Sequence, residues 1–115
     1  MINLQTIIDK LNLTTLTEPL LFECIEIEAV YASDLLSCVM TAAKEKSIWV
    51  TLIANINIVA VASLLEIAAI IITEDAQPDD ATIERANNEG IVLLSTPEGN
   101  YEVAGKLWDL NIRNN

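Results

Sequence analysis

Hydroxyls, amides and carboxylates recur where the apolar runs of this chain end. Ser33 and Asp34 follow one such run, Thr51 closes a second, Asn57 opens an apolar helix, and Thr73 and Ser95 close two more. These six residues form the candidate ligand-binding set, suited to reading a small polar molecule by hydrogen bonds. They do not make a nucleophile with its base. The chain has no His, which removes the usual general base, the commonest metal ligand and the near-neutral pH switch. Cys24 and Cys38 show no CxxC spacing and stand in apolar surroundings, so the expectation is two buried, inert thiols in a reducing compartment. Glu74, Asp75, Asp79 and Asp80 cluster, but their spacing matches no EF-hand loop and reads better as a solvated helix start. P-loop and GxGxxG patterns are absent; the three glycines are Gly90, Gly99 and Gly105. No catalytic residue, cofactor or metal is expected, and the chain is not read as an enzyme.

Each candidate also has a plain structural role. Ser33 fits a helix N-cap and Asp34 a partner of the helix dipole; alternatively both line a crevice, or Ser33 or Ser37 accepts a phosphate. Asn57 fits the cap of its own helix, or an amide reading a ligand beside Thr51 and Asn55. Residue types alone leave both pairs of readings open.

These side chains must be held by elements that the apolar pattern predicts. Asn3 caps a leading helix over 2–12, with Leu4, Ile7, Ile8 and Leu11 on one face. Residues 13–19 read as a connector. Residues 20–30, with Glu23, Glu26 and Glu28 interspersed, read as a strand near a sheet edge. A helix follows from Ser33 to about Lys46, with Lys44 and Lys46 in its last turn. Strands are expected at 48–52, 69–73 and 91–94, and helices at 58–66, from Pro78 to Gly90, and at 101–110. The polar tail 111–115 is expected to fray, 113–115 most of all.

Strands alternating with helices at this spacing predict a single α/β domain over 1–115, in three layers, with a mostly parallel central sheet and helices on both faces. Ligands in such sheets sit beyond the carboxyl ends of the strands, where all six candidates fall. A length of 115 residues is one ordinary domain, and 52% apolar content excludes disorder. Six Lys and Arg against 17 Asp and Glu give a net charge of −11, which argues against nucleic acid and anionic membrane surfaces. Residues 48–72 are long and apolar enough to span a bilayer, but Asn55, Asn57, Ser63 and Glu66 interrupt them. With no signal peptide visible, the expectation is a cytoplasmic protein. The helix at 58–66 is apolar nearly all round, so a second cover beyond its own sheet, another subunit, is expected, with Ala60 and Ala62 permitting close approach.

Several stretches resemble the DRTGG domain: Val30-Tyr31-Ala32-Ser33-Asp34-Leu35-Leu36-Ser37, Ile48-Trp49-Val50-Thr51 and Asn57-Ile58-Val59-Ala60-Val61-Ala62-Ser63-Leu64. Ile91-Val92-Leu93-Leu94-Ser95-Thr96 and Ala104-Gly105-Lys106-Leu107 fit as well, so the similarity covers nearly the whole chain. The motif that names the family is not present as written. Thr73-Glu74-Asp75-Ala76-Gln77 stands where a Gly-containing turn is expected. The resemblance implies a fold like the N-terminal domain of HPr kinase/phosphorylase. It also implies an accessory role, as in CBS-domain pyrophosphatases, where the domain contributes to dimerisation, and in long phosphotransacetylases. Kinase activity does not follow, since the kinase domain has no counterpart here.

Three functions are consistent with this reading. The leading one is a non-catalytic regulatory module, a homodimer acting on a separately encoded enzyme or kinase. The second is a sensor of a nucleotide-like small molecule at the six candidate residues. The third is a phosphoswitch similar to anti-sigma-factor antagonists, working through Ser33 or Ser37.

Overall fold

The computed structural model describes residues 2–114. Met1 and Asn115, the ends of the predicted domain and of the predicted frayed tail, lie outside them.

The element order is β1 (Ile2–Asn3), α1 (Leu4–Leu11), β2 (Thr14–Thr15), a 3-10 turn (Phe22–Cys24), β3 (Glu26–Ile27) and β4 (Ala29–Ala32). It continues with α2 (Leu36–Ala42), β5 (Ser47–Thr51), α3 (Asn57–Leu65), β6 (Ala69–Ile72), α4 (Asp80–Glu89), β7 (Val92–Ser95) and α5 (Asn100–Asp109). One five-stranded sheet runs in the order β2-β7-β6-β5-β4, and β1 pairs with β3 in a separate antiparallel ribbon. β4 to β7 are parallel, while β2 joins β7 antiparallel, Thr14 facing Ser95. The chain is therefore the expected α/β domain of three layers.

The strands explain their own burial. β5, β6 and β7 are β-branched or aliphatic almost throughout, as strands covered on both faces must be, and every residue in them is buried. Alternation divides them: Ile48, Val50, Ile71 and Leu94 face α1 and α5, whereas Trp49, Ile70, Ile72 and Leu93 face α2, α3 and α4. Helices cover both faces, yet all three crossover helices share one of them. The cause is topological. β4, β5, β6 and β7 add in one direction, and right-handed crossovers in one direction put every connecting helix on the same side.

Caps fix the helix ends. Asn3 Oδ1 accepts the Thr6 N–H at 2.9 Å and so caps α1, as its position predicts. Asp79 caps α4, accepting from Thr82 N–H at 2.8 Å and Thr82 O–H at 2.7 Å. Those two bonds hold its carboxyl below the ordinary value of 3.8. A depressed carboxyl stabilises the fold above its unfolded pKa and loses that contribution as pH falls through its folded pKa. Asp79→Ala is therefore expected to lower the melting midpoint at neutral pH. The gap from the parent should close once the pH is below the Asp79 folded pKa, as a series of thermal melts would show. Gly90 ends α4 at φ 70°, a conformation only glycine adopts freely.

Three expectations are corrected by the fold. Residues 13–19 are not only a connector, because Thr14–Thr15 forms β2; two residues are too few to show a period. Residues 20–30 are not one strand. Phe22 turns into the core from the 3-10 turn while Leu20 and Leu21 stay exposed, and the ladder begins again in two short pieces, β3 and β4. β4 is nonetheless the sheet edge. The helix expected from Ser33 to Lys46 runs only over Leu36–Ala42, leaving Lys44 and Lys46 beyond its end. In the tail, Ile112 is buried, Arg113 stacks on Trp108 at 3.6 Å from the ring centroid, and Asn114 bonds to β4.

The thiols depart from expectation too. Cys24 and Cys38 are both exposed and unbridged. Val39 takes the core-facing position of α2, and its neighbour Cys38 consequently points out.

Candidate functional site

The carboxyl ends of β4, β5 and β6 deliver Asp34, Thr51 and Thr73 to one hydrogen-bonded chain. Asp34 Oδ1 accepts from Thr51 O–H and from Leu52 N–H, each at 2.8 Å. Asp34 Oδ2 accepts from the Asn100 side-chain amide at 3.1 Å. The Asn100 carbonyl oxygen in turn accepts from the Thr73 hydroxyl. One carboxylate and one amide thus tie three strand ends to the first residue of α5.

Ser33 stands beside this chain in a backbone role. Its Oγ accepts the Leu35 N–H at 3.1 Å, a local turn in place of the predicted helix cap, and its C=O accepts the Trp49 indole N–H at 2.9 Å. The helix starts later as a result, with Leu35 at the N-cap position and no side-chain cap. Asp34 likewise is not in the first turn of α2, because its carboxylate reaches across to β5.

Asn57 and Ser95 are not drawn in. Asn57 is exposed and is the first residue of α3, not its cap; its N–H donates to Asn55 Oδ1 at 3.0 Å. Ser95 is buried in β7 between Ile72 and Thr14. Asn100 is the residue that sequence reasoning did not single out. Its only signal was its place at the start of the last helix, just past the final strand.

The turn after β6 carries the departure from the family motif. Glu74 and Asp75 follow Thr73 and both adopt left-handed backbone, φ 60° and 56°. Their N–H groups are fixed to the next loop, Glu74 to Glu98 C=O at 2.8 Å and Asp75 to Thr96 C=O at 3.0 Å. Both residues thus sit in the backbone region that glycine adopts most readily. Such a conformation costs an L-residue about 1–2 kcal/mol. Glu74→Gly and Asp75→Gly are each expected to raise stability by about 1 kcal/mol, read as a higher urea midpoint at unchanged slope.

The electrostatics of this end are acidic. A Cβ at Gly99 would lie 2.6 Å from Glu74 Oε1 and 2.8 Å from Glu102 Oε2, so two carboxylates converge on the start of α5. Lys106 Nζ is held by Glu98 at 2.6 Å. Among the described residues, surface cavities of 300–710 Å³ open away from Ser33, Asp34, Thr51, Asn57, Thr73 and Ser95. Sheets of this kind open where the strand order reverses, and β4 to β7 contain no reversal. Among the described residues no group of His, Cys, Asp and Glu is placed to hold a metal ion. No described helix is long and apolar enough to cross a membrane; 48–72 divides into β5, α3 and β6.

Fold and site together define a singly wound, acidic α/β module whose strand-end polar groups are satisfied by one another. Its pattern matches the DRTGG domain model over residues 28–110, and the chain belongs to that family. A crystal structure of the CBS and DRTGG domains of the regulatory region of Clostridium perfringens pyrophosphatase, complexed with the activator diadenosine tetraphosphate, shares the fold. The TM-score is 0.68 at 17% identity, over 91% of this chain and 45% of that one. The present chain thus spans under half the length of that regulatory region. No curated protein matches it.

Proposed function

We propose that this chain is a non-catalytic regulatory module that works by association, as a homodimer acting on a separately encoded cytoplasmic enzyme or kinase. The observation that supports it best is the apolar outer surface of α2 and α3. Leu64 is 69% exposed and Leu35 59%, with Met40 and Ile56 also outside. Ile56, Ala60 and Leu64 recur every four residues, which makes one stripe along α3, and Ala60 leaves room for close approach. The other side of that helix, with Ile58, Val59, Val61 and Ala62, is already committed to the sheet. A surface stripe of this kind in a soluble chain of net charge −11 marks a contact, since charge elsewhere maintains solubility. The regulatory setting of the similar pyrophosphatase domains is in keeping with it.

Sedimentation velocity at micromolar concentration is expected to give a dimer, and Ile56→Glu with Leu64→Glu a monomer of nearly unchanged melting midpoint. A wild-type chain that sediments as a monomer would sink the proposal.

A second reading, a small-molecule sensor at Ser33, Asp34, Thr51, Asn57, Thr73 and Ser95, draws support from the activator held by the similar structure. Binding there requires the Asp34–Asn100 tie to open. Diadenosine tetraphosphate at a hundred times its Kd would add about 2.7 kcal/mol, a shift of several degrees in a melt. No shift, with or without Mg²⁺, removes this reading for that class of ligand.

A further inference from the structure

The outward face of α5 has the geometry by which one helix receives another. Tyr101, Ala104, Gly105 and Trp108 stand at i, i+3, i+4 and i+7, the four positions that frame a hole for a side chain of a facing helix. The ends of the frame are large and exposed, Tyr101 at 88% and Trp108 at 59%, and its waist is small. Val103 and Leu107, on the other side of the helix, are buried against the sheet. A glycine inside a helix weakens it relative to alanine, and its use there is to let another backbone come close. That approach does not come from within: a Cβ at Gly105 would meet nothing within 4 Å. The room left by this glycine instead opens outward, into a surface cavity of 660 Å³ lined by the whole frame. The same cavity is lined by Glu98, Glu102, Asp109 and Lys106, three carboxylates against one ammonium, a net charge of −2. Lys106 is already held by Glu98. Among the described residues, neither Glu102 nor Asp109 is in an ion pair. The Trp108 ring carries the Arg113 guanidinium on one face, so it already receives a cation, and it remains more than half exposed.

We propose that this face of α5 docks an amphipathic helix of a partner protein, with a Leu or Met side chain entering the hole and Lys or Arg along the flank that meets Glu102 and Asp109. The frame selects a helix, because a hole bounded in this way matches a side chain carried on a second helix, and the missing Cβ at Gly105 lets the two axes approach. The lining charges select a basic flank. Glu102 and Asp109 lie seven residues apart, about two turns, along the Gly105 edge of the frame, and cations at the same interval on the partner would meet both. A second copy of this chain would set net −2 against net −2 across the contact and be repelled. α5 covers the face of the sheet opposite to α2 and α3, so the inference does not depend on that other face forming a dimer.

The probe is a synthetic amphipathic helix with Leu at heptad spacing on one face and Lys on its flanks, titrated by calorimetry into the full chain. Saturable one-to-one binding is expected. Gly105→Met fills the hole from an exposed position without changing charge. It should weaken binding about ten-fold or more while the melting midpoint holds or rises, which separates loss of the site from loss of the fold. Glu102→Gln with Asp109→Asn should weaken binding about five-fold and flatten its dependence on salt. Absence of saturable binding to the parent chain overturns the proposal. So does an affinity that Gly105→Met leaves unchanged, which would reduce the contact to charge alone. A parent dimer that Gly105→Met converts to a monomer would make a second copy the occupant, and overturns it as well. The Ile56→Glu, Leu64→Glu chain should bind the peptide no more weakly than the parent. Loss of binding there would place the peptide on the α2–α3 face and overturn this inference, whereas loss of the dimer alone is read by sedimentation.

Discussion

Trp49→Ala is expected to remove about 4 kcal/mol of folding stability. Trp49 is fully buried in the middle of β5, and it is the largest of the fully buried side chains. The substitution deletes an indole between α2, α3 and the sheet, and no neighbouring helix can settle into the space without leaving its strand. It also leaves the Ser33 C=O without the indole donor that holds it at 2.9 Å. A domain of this length has roughly 6–17 kcal/mol in all, so the variant stays folded at low temperature but near its limit. Chemical denaturation of parent and variant measures the difference directly. Trp49→Phe separates the two causes, since it restores most of the volume and none of the hydrogen bond. A loss under 1 kcal/mol for Trp49→Ala would mean that the helices on that face are far looser than their packing implies.

Asp34→Ala is expected to cost about 2–3 kcal/mol, the second largest effect of a single change here. Its carboxylate gathers three donors from two distant parts of the chain, the end of β5 and the start of α5. Truncation leaves the hydroxyl of Thr51, a fully buried residue, and the freed end of Asn100 to find other partners. The melting midpoint should fall by roughly ten degrees. Asp34→Asn retains the size and one acceptor oxygen, so it should lose about half as much. If the same substitution left stability untouched, the cluster would not be the tie between strands that its geometry describes.

Several positions show why some of this was readable in the sequence. The runs at 48–52, 69–73 and 91–94 are apolar on both alternating faces, and a run of that kind has few options besides a strand covered on both sides. Pro78, Asp79 and Gly90 signal a helix by backbone chemistry that needs no tertiary partner. Ser33 and Asp34 lacked that independence. Each can bond its own turn, cap a helix or reach a neighbouring strand, and the choice depended on Thr51 and Asn100, far away in sequence. β2 was hidden for the same reason: Thr14 and Thr15 are a strand only because β7 lies beside them. The exposure of Cys24 and Cys38 followed from helix phase and from the break in 20–30, neither of which composition reveals. The direction of strand addition was also invisible, and it decided that all three crossover helices share one face.

Expectation and structure agree most closely on the family. Residues 30–37 and 57–64 carried the resemblance, and both fall within the 28–110 match. In the turn where the resemblance led to an expected glycine, Glu74 and Asp75 both have left-handed backbone.

The singly wound order also sets a sequence in time. Each of β5, β6 and β7 finds its partner in the strand that left the ribosome just before it, so the parallel part of the sheet needs only short-range closures as synthesis proceeds. Two contacts break that pattern. β2, made early, must wait for β7 before it has anything to pair with, and Val30 must wait 84 residues for Asn114. Both contacts therefore wait for residues far downstream, β7 in one case and Asn114 in the other, and a nascent sheet carries open edges until those residues emerge.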